Sequence, residues 1–345
     1  MNEPSGPVRV SSQTGPLRIG VAGLVHGHVE GLLYRASQGT DVTIVGVYEP
    51  NRALFDRLAK KHKLDPSLYH ADLGQMLDAG RPEAVSVMSS IKDHLPIAEV
   101  CASRGVHMLM EKPLAFSEAD AMAMRSLAAK HRVLILTNFE TSWYASVREA
   151  ERRVRADGLT PRHLIFRHGH KGPVEIGCSP EFVAWLTDPA QNGGGAVVDF
   201  GCYGAALSTW LMQGQRPTSV VASLATLKPG VYPRVDDSAT IVLTYPGATS
   251  IIQASWAWTH DNKEMDVYCE GRSIHAAKWD ALTTRQENAD PVVVKPAPMP
   301  EHLKDEWVYL RKVVRGECAV DPLSALELNV IVAEILDKAR SSRAR

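Results

Sequence analysis

The sequence predicts an α/β protein: a doubly wound parallel sheet in the N-terminal part, then an α+β part built on a large, open, mostly antiparallel sheet. Three observations carry this. Leu17–Ala22 is an apolar strand pattern that runs into Gly23 and then into a helical pattern through Val29, Leu32 and Leu33. Strand and helix patterns keep alternating up to Thr137, which implies parallel β-α-β units. After Asn138 the apolar residues change from helical spacing to alternation, as in antiparallel strands. The division expected is a flexible leader over 1–16, a dinucleotide-binding part over 17–138, and a substrate-binding and oligomerisation part over 139–345.

The composition fits two sizeable cores: 345 residues, 45% hydrophobic, 22% charged. A net charge of -1 lacks the basic surplus of a nucleic-acid binder. No run approaches the ~20 apolar residues of a membrane span, and the first 16 residues have no apolar signal core. Cys101, Cys178, Cys202, Cys269 and Cys318 lack paired metal-ligand spacing, so a reducing, cytoplasmic setting without zinc or disulfides is expected.

In the first half, Val42–Tyr48 is the second strand and ends at Glu49, placed to accept hydrogen bonds from both ribose hydroxyls of an adenosine and to disfavour a 2′-phosphate. Asn51 caps the helix carrying Leu54 and Leu58, and Glu83–Met88 is a buried strand leading to Ser89. A helix over Leu95–Arg104 closes at Gly105. Val106–Met110 follows and delivers Glu111, Lys112 and Pro113 at a strand end, where ligands bind in open α/β sheets. Ser117 and Asp120 form a capping-box start for the next helix, and Val133–Thr137 is a further strand. The glycine turn is unusual: if Gly23 opens a G-x-G-x-x-G pattern, Val25 holds the second place, where a side chain crowds a pyrophosphate, and His28 the third. His26 and His28 are either phosphate donors or ordinary turn residues.

In the second half, Ile241, Leu243 and Tyr245 share one face of a strand. Beyond Pro246-Gly247, Ile252, Ala254, Trp256 and Trp258 share one face of another, expected over Ser250–Trp258. Strands at Val220–Leu227 and Met265–Glu270 extend a sheet whose far side is expected to be an interface. Leu328, Ile331, Val332, Ile335 and Ala339 stripe a terminal helix. Between the halves, Gly193–Tyr203 is glycine-rich and opens a helix; Asp199 and Tyr203 stand four apart and can share a face. An acid, a phenol and the Lys112 amine converging on one hydroxyl make a proton-transfer set. His168 and His170, two apart, would face one side of a strand, but no carboxylate or cysteine accompanies them or the His26/His28 pair, so no metal site is expected. Arg152, Arg153 and Arg155 are a solvated helix face.

Glu111-Lys112-Pro113 after a dinucleotide-type half, His94 ahead of a helix, the Asp199–Tyr203 segment and the later antiparallel sheet together resemble the Gfo/Idh/MocA family of oxidoreductases, from Leu17 to about Ser341. The resemblance implies a Rossmann domain, a bound NAD, sugar or polyol substrates, and a dimer or tetramer formed through the open sheet. It implies that Lys112, Asp199 and Tyr203 are catalytic, since many members have histidine and some tyrosine at the place of Tyr203. It places Gly23, Val25, His26, Glu49, Ser89, His94, Glu111, Lys112 and Trp185 around the cofactor, and Trp143 and His170 beside Lys112, Asp199 and Tyr203 around the substrate. The chain departs from the family at Val25 and His28, at Ser90 in place of a proline, and at Ala206 in place of an acid. The function implied is hydride transfer between nicotinamide and a ring carbon of a sugar, sugar derivative or cyclitol. In that scheme Tyr203 exchanges the hydroxyl proton, Lys112 lowers the tyrosine pKa, and Asp199 orients Lys112. The alternatives are a glycosidase- or lyase-type member that retains NAD and acts by transient oxidation and elimination, and a non-catalytic sugar- or nucleotide-binding homologue.

Overall fold

The computed structural model describes residues 8–38 and 41–341. A six-stranded sheet comprises β1 (Leu17–Ala22), β2 (Val42–Tyr48), β3 (Tyr69–His70), β4 (Ala84–Val87), β5 (His107–Glu111) and β6 (Ile135–Asn138). All pairs are parallel, in the order β3-β2-β1-β4-β5-β6. Helices α1 (Val29–Ser37), α2 (Arg52–His62), α3 (Leu73–Gly80), α4 (His94–Ser103) and α5 (Glu118–His131) make the crossovers. They cover both faces, which is why β4 and β5 are buried along their whole length. Asn51 and Ser117 cap α2 and α5, accepting from the N–H groups of Leu54 (3.2 Å) and Asp120 (3.1 Å).

The strand order reverses between β1 and β4, and ligands bind outside such a switch point. Gly23 sits there with φ +83°, and a Cβ on it would lie 2.8 Å from the Ser89 Cα. Only glycine meets both constraints.

The second sheet has eight strands: β7 (Pro161–Gly169), β8 (Ser219–Ala225), β9 (Ser238–Tyr245), β10 (Ala248–Ser255), β11 (Asn262–Cys269), β12 (Arg272–Lys278), β13 (Ala281–Gln286) and β14 (Val292–Val294). Their order is β14-β13-β12-β11-β7-β10-β9-β8, antiparallel except for β7 beside β10. α6 (Ala145–Ala156) precedes β7, and the short helices α7 (Pro180–Leu186), α8 (Pro189–Asn192) and α9 (Ala196–Asp199) lead into α10 (Gly201–Leu211). Every residue of α10 is buried. It lies so close to β10 that a Cβ on Gly204 would meet Ile252 Cγ2 at 2.5 Å. The other face of the sheet leaves Val221 and Tyr268 exposed.

The chain then returns. α11 (Glu306–Val314) buries Trp307, Leu310 and Val314 in the core of the first sheet, and α12 (Leu326–Ser341) packs on both α5 and α10 with the apolar stripe inward. The stretch 1–16, expected to be a flexible leader, divides: residues 1–7 lie outside the described residues, while Arg9 and Ser11 donate main-chain N–H groups to the carbonyls of Arg132 and Val314, both at 3.0 Å. Ser11 also donates to the buried Glu83 carboxylate (2.7 Å), whose other partners are the Arg18 main-chain N–H and the Arg315 side chain. Among the described residues no helix is long and apolar enough to cross a membrane.

Two further differences from the sequence-based expectation have simple causes. The strand expected over Ser250–Trp258 ends at Ser255, because Trp256 turns inward and buries its indole. Strands β12 and β13 are rich in Ser, Thr, Arg and Lys, and the edge strand β14 is only three residues long, so sequence patterning missed them.

Candidate active site

β5 runs buried to Glu111, and the next residue, Lys112, leaves the sheet edge through a cis Lys112–Pro113 peptide. Its ammonium forms an ion pair with the Asp199 carboxylate and also donates to the Asp199 main-chain carbonyl at 3.0 Å. The second oxygen of Asp199 accepts the Trp256 indole N–H at 2.8 Å. Both charges are buried. Burial alone would lower the Lys112 pKa, but the Asp199 carboxylate, with Cys202 and Glu111 adding, more than offsets it and the pKa is raised. Burial likewise opposes the Asp199 charge, and Lys112 overcomes it, holding that carboxyl low.

Asp199 ends α9 and Tyr203 lies in α10, with a break at Phe200. The two still share a cavity with Lys112, whose Nζ lies 5.1 Å from the centre of the Tyr203 ring. That placement corrects one expectation. The phenol's pKa is raised rather than lowered: burial pushes it well above its ordinary value, with Glu140 adding to the rise.

The cavity, about 670 Å³, is also lined by His26, Gly27, His28, Glu140, His170, Cys178, Phe182 and Lys263. Its charges come in pairs: Lys112 with Asp199, Lys263 with Glu140 (3.2 Å), and Arg57 with Glu181 (2.5 Å). Sequence reasoning missed Glu140 and Lys263. Glu140 follows the end of β6 as Lys112 follows the end of β5, so the same strand-end rule would have found it; nothing in the sequence marks Lys263.

The histidines divide by environment. His170 lies beyond the end of β7, accepts the Gly172 N–H at 2.9 Å and meets Phe200 edge-on. His168 points into the core against Tyr203 and Phe166, and its ring nitrogens have no partner among the described residues. Burial lowers its pKa to about 3. The two do not share an open face, because the strand stops at Gly169 between them.

On the other side of the cavity Glu111 Oε1 accepts from Asn138 (3.1 Å), whose own side-chain oxygen takes the Trp143 indole N–H at 3.0 Å. Trp143 therefore does not line the cavity; it packs against Tyr309. Glu111 Oε2 lies 3.0 Å from His28 Nδ1 and 3.9 Å from His26 Nε2. Burial opposes its charge, yet the two histidines and Asn138 hold it below the usual carboxylate range. Glu111 in turn raises the pKa of His28, whose side chain is half-exposed. His26 is buried among His28, Phe182 and Trp185, and burial lowers its pKa to about 3.

A second cavity of about 550 Å³ is lined by Gly23, Val25, Tyr48, Glu49, Ser89 and Ile97, among others. The loop Gly23–His28 separates the two: Gly23 and Val25 line this cavity, and Leu24, His26, Gly27 and His28 line the first. Trp185 donates its indole N–H to the Val25 carbonyl at 3.3 Å, clasping this loop from α7. Ser89 Oγ donates to Ser90 O (2.9 Å), and His94 Nδ1 bonds Leu114 O (3.0 Å), leaving its buried Nε2 without a partner.

The loop suits a dinucleotide. The main-chain N–H groups of Val25 and Gly27 have no hydrogen bond among the described residues, and a Cβ on Gly27 would meet nothing within 4 Å, so the start of α1 offers free donors to a phosphate. Glu49 accepts the N–H groups of Leu24 and Asn51, both at 2.8 Å, one on each oxygen. Each oxygen keeps a lone pair for a ribose hydroxyl.

Comparison with known proteins gives the same outline. Residues 17–139 match the family model "Oxidoreductase family, NAD-binding Rossmann fold", and residues 147–275 match the "GFO/IDH/MocA C-terminal domain". Trans-1,2-dihydrobenzene-1,2-diol dehydrogenase of Xenopus tropicalis is 28% identical over 162 residues, covering 47% of this chain and 46% of that protein. The human protein of that name is 24% identical over 314 residues, covering 87% and 88%. The chain thus spans about half the length of the amphibian relatives it matches, and most of the human one. Among solved structures, an inositol dehydrogenase homologue from Azotobacter vinelandii complexed with NAD+ superposes with TM-score 0.80 at 17% identity, covering 97% of this chain and 96% of that one. Aldose-aldose oxidoreductase from Caulobacter crescentus, complexed with glycerol, gives 0.77 at 19%, covering 95% and 98%. At these identities the likeness is one of fold.

Proposed function

Since the chain belongs to the GFO/IDH/MocA family of NAD-binding oxidoreductases, we propose that it transfers a hydride between NAD and a ring carbon of a sugar, sugar derivative or cyclitol, with the chemistry centred on Lys112. One observation carries this: Lys112, locked by Asp199, lines a cavity beside the dinucleotide loop, together with Tyr203 and His170.

Nicotinamide supplies the hydride acceptor when bound. The protein's part is to hold the hydroxyl and manage its proton. We place Lys112 beside the substrate oxygen, which carries negative charge once its hydroxyl has lost a proton and before the hydride has left its carbon, and a fixed, buried ammonium stabilises that charge. Asp199 orients the amine. The Tyr203 phenol stays protonated in the free protein because of its burial. It is thereby suited to donate its proton to the oxygen when a carbonyl is reduced, and the tyrosinate form of the same residue takes the proton back when an alcohol is oxidised; His170, whose Nδ1 already accepts the Gly172 N–H, offers its Nε2–H to the substrate as a donor. The paired charges of the cavity wall favour a polar, uncharged, hydroxyl-rich substrate. At the cofactor end we assign Glu49 to the adenosine ribose, the loop Gly23–His28 with Ser89 and Trp185 to the pyrophosphate, and His94 and Glu111 to the nicotinamide side. Assembly through the outer face of the eight-stranded sheet belongs to the same proposal, supported by exposed Val221 and Tyr268.

The test is whether the purified protein carries or takes up NAD. Acid release followed by mass spectrometry identifies a retained nicotinamide, and titration of NAD against tryptophan fluorescence measures uptake. Absence of both would overturn the proposal, whatever the substrate.

A further inference from the structure

We propose that His26, His28 and Glu111 form a binding site for a divalent transition-metal ion of the zinc type. No metal site is expected from sequence, on the ground that no carboxylate accompanies the histidine pair in the chain. The fold supplies one: β5 carries Glu111 to the turn that holds both histidines, and one ligand atom from each residue falls within 4.8 Å of the others.

The donor set is two imidazoles and a carboxylate, which suits zinc and leaves a fourth position open. Glu111 Oε2 is already 3.0 Å from His28 Nδ1 and 3.9 Å from His26 Nε2. Bonds of about 2 Å to a tetrahedral ion put ligand atoms roughly 3.3 Å apart. The set is therefore close to its bound spacing, and the half-exposed His28 ring is free to make up the difference. Glu111 is aimed by its surroundings, since Oε1 is held by Asn138, which Trp143 holds in turn. Outer partners of this kind fix the ligand atom that faces a metal. Two hydrogen bonds are given up: the one between His28 Nδ1 and Glu111 Oε2 at 3.0 Å, whose place the metal takes, and the long one from the His28 main-chain N–H to His26 Nδ1 at 3.3 Å, because a metal on Nε2 moves the imidazole proton to Nδ1. His26 and His28 line the cavity that contains Lys112.

This site does not depend on the cofactor assignment, and its test is run without nicotinamide. Metal-free protein is titrated with Zn2+ against a chromophoric chelator, and with Co2+ for its visible absorption, which is intense only in low-coordinate sites. Cys178 lines the same cavity, so Cys178→Ser is titrated as well. The expected result is one equivalent bound with micromolar or tighter affinity, an intense Co2+ spectrum, and the same behaviour in Cys178→Ser. His28→Ala and Glu111→Gln, checked for native circular dichroism, should each weaken binding at least tenfold. His28→Ala replaces a half-exposed side chain, so it tests the site even if Glu111→Gln does not fold. Binding unchanged in His28→Ala, binding lost only in Cys178→Ser, or no binding up to millimolar metal would each overturn the proposal.

Discussion

Lys112 grips Asp199 twice, through the carboxylate and through the main-chain carbonyl at 3.0 Å, although 87 positions separate them. The pair joins the edge of the parallel sheet to the helix pair α9–α10. Breaking it should be costly: Asp199→Asn leaves a buried ammonium without its counter-ion, a loss of about 3–5 kcal/mol. Urea unfolding checks this, and the double variant Asp199→Asn/Lys112→Met should recover a large part of the loss. A double variant no more stable than Asp199→Asn would mean that the pair is not coupled.

The fold was legible where burial imposes a period. β1, β2, β4, β5 and the stripe of α12 all read out because apolar residues recur at the spacing of the element, and the caps at Asn51 and Ser117 are local chemistry. The two-residue β3, the polar β12 and β13 and the three-residue β14 were not, since pairing rather than side-chain pattern defines them. In the site, Glu111, Lys112 and Asp199 were legible because a strand end and a glycine-rich turn announce them. The relation of Lys112 to the Tyr203 ring, the approach of Glu111 to His26 and His28, and the presence of Lys263 depend on long-range packing that no local spacing encodes.

Tyr203 should resist ionisation. Burial raises its pKa well above 10, so ultraviolet titration of wild type and Tyr203→Phe should give the same tyrosinate absorbance up to about pH 10, the ordinary tyrosine value. A difference appearing near pH 8 would place Lys112 at the hydroxyl after all.

His28 should make stability depend on pH. Its folded pKa is raised by Glu111, so its contribution is complete below the unfolded value of about 6.5. It is lost as pH rises through the folded pKa. His28→Asn should therefore be less stable than wild type by up to about 1 kcal/mol at pH 6, and the gap should narrow by pH 9. A gap that widens with pH would contradict this sign.

Glu49 should set cofactor choice. Its carboxylate lines the second cavity, fixed by the N–H groups of Leu24 and Asn51, and would repel a 2′-phosphate. Fluorescence titration should show NAD binding at least tenfold tighter than NADP, about 1.4 kcal/mol, with Glu49→Ser narrowing the difference. Equal affinities in wild type would remove Glu49 from the ribose.

The most direct measurement compares wild type and Lys112→Ala for NAD reduction, read by nicotinamide absorbance, across a panel of cyclitols, aldoses and trans-diols, with NAD affinity measured in parallel. Lys112 should act on charge that is larger in the transition state than in the bound alcohol, so its loss should appear in kcat. The predicted result is turnover by wild type on at least one ring polyol, and a fall of about 10²-fold or more in Lys112→Ala, with NAD affinity changed by less than tenfold. Lys112→Ala turning over at the wild-type rate would contradict the central claim.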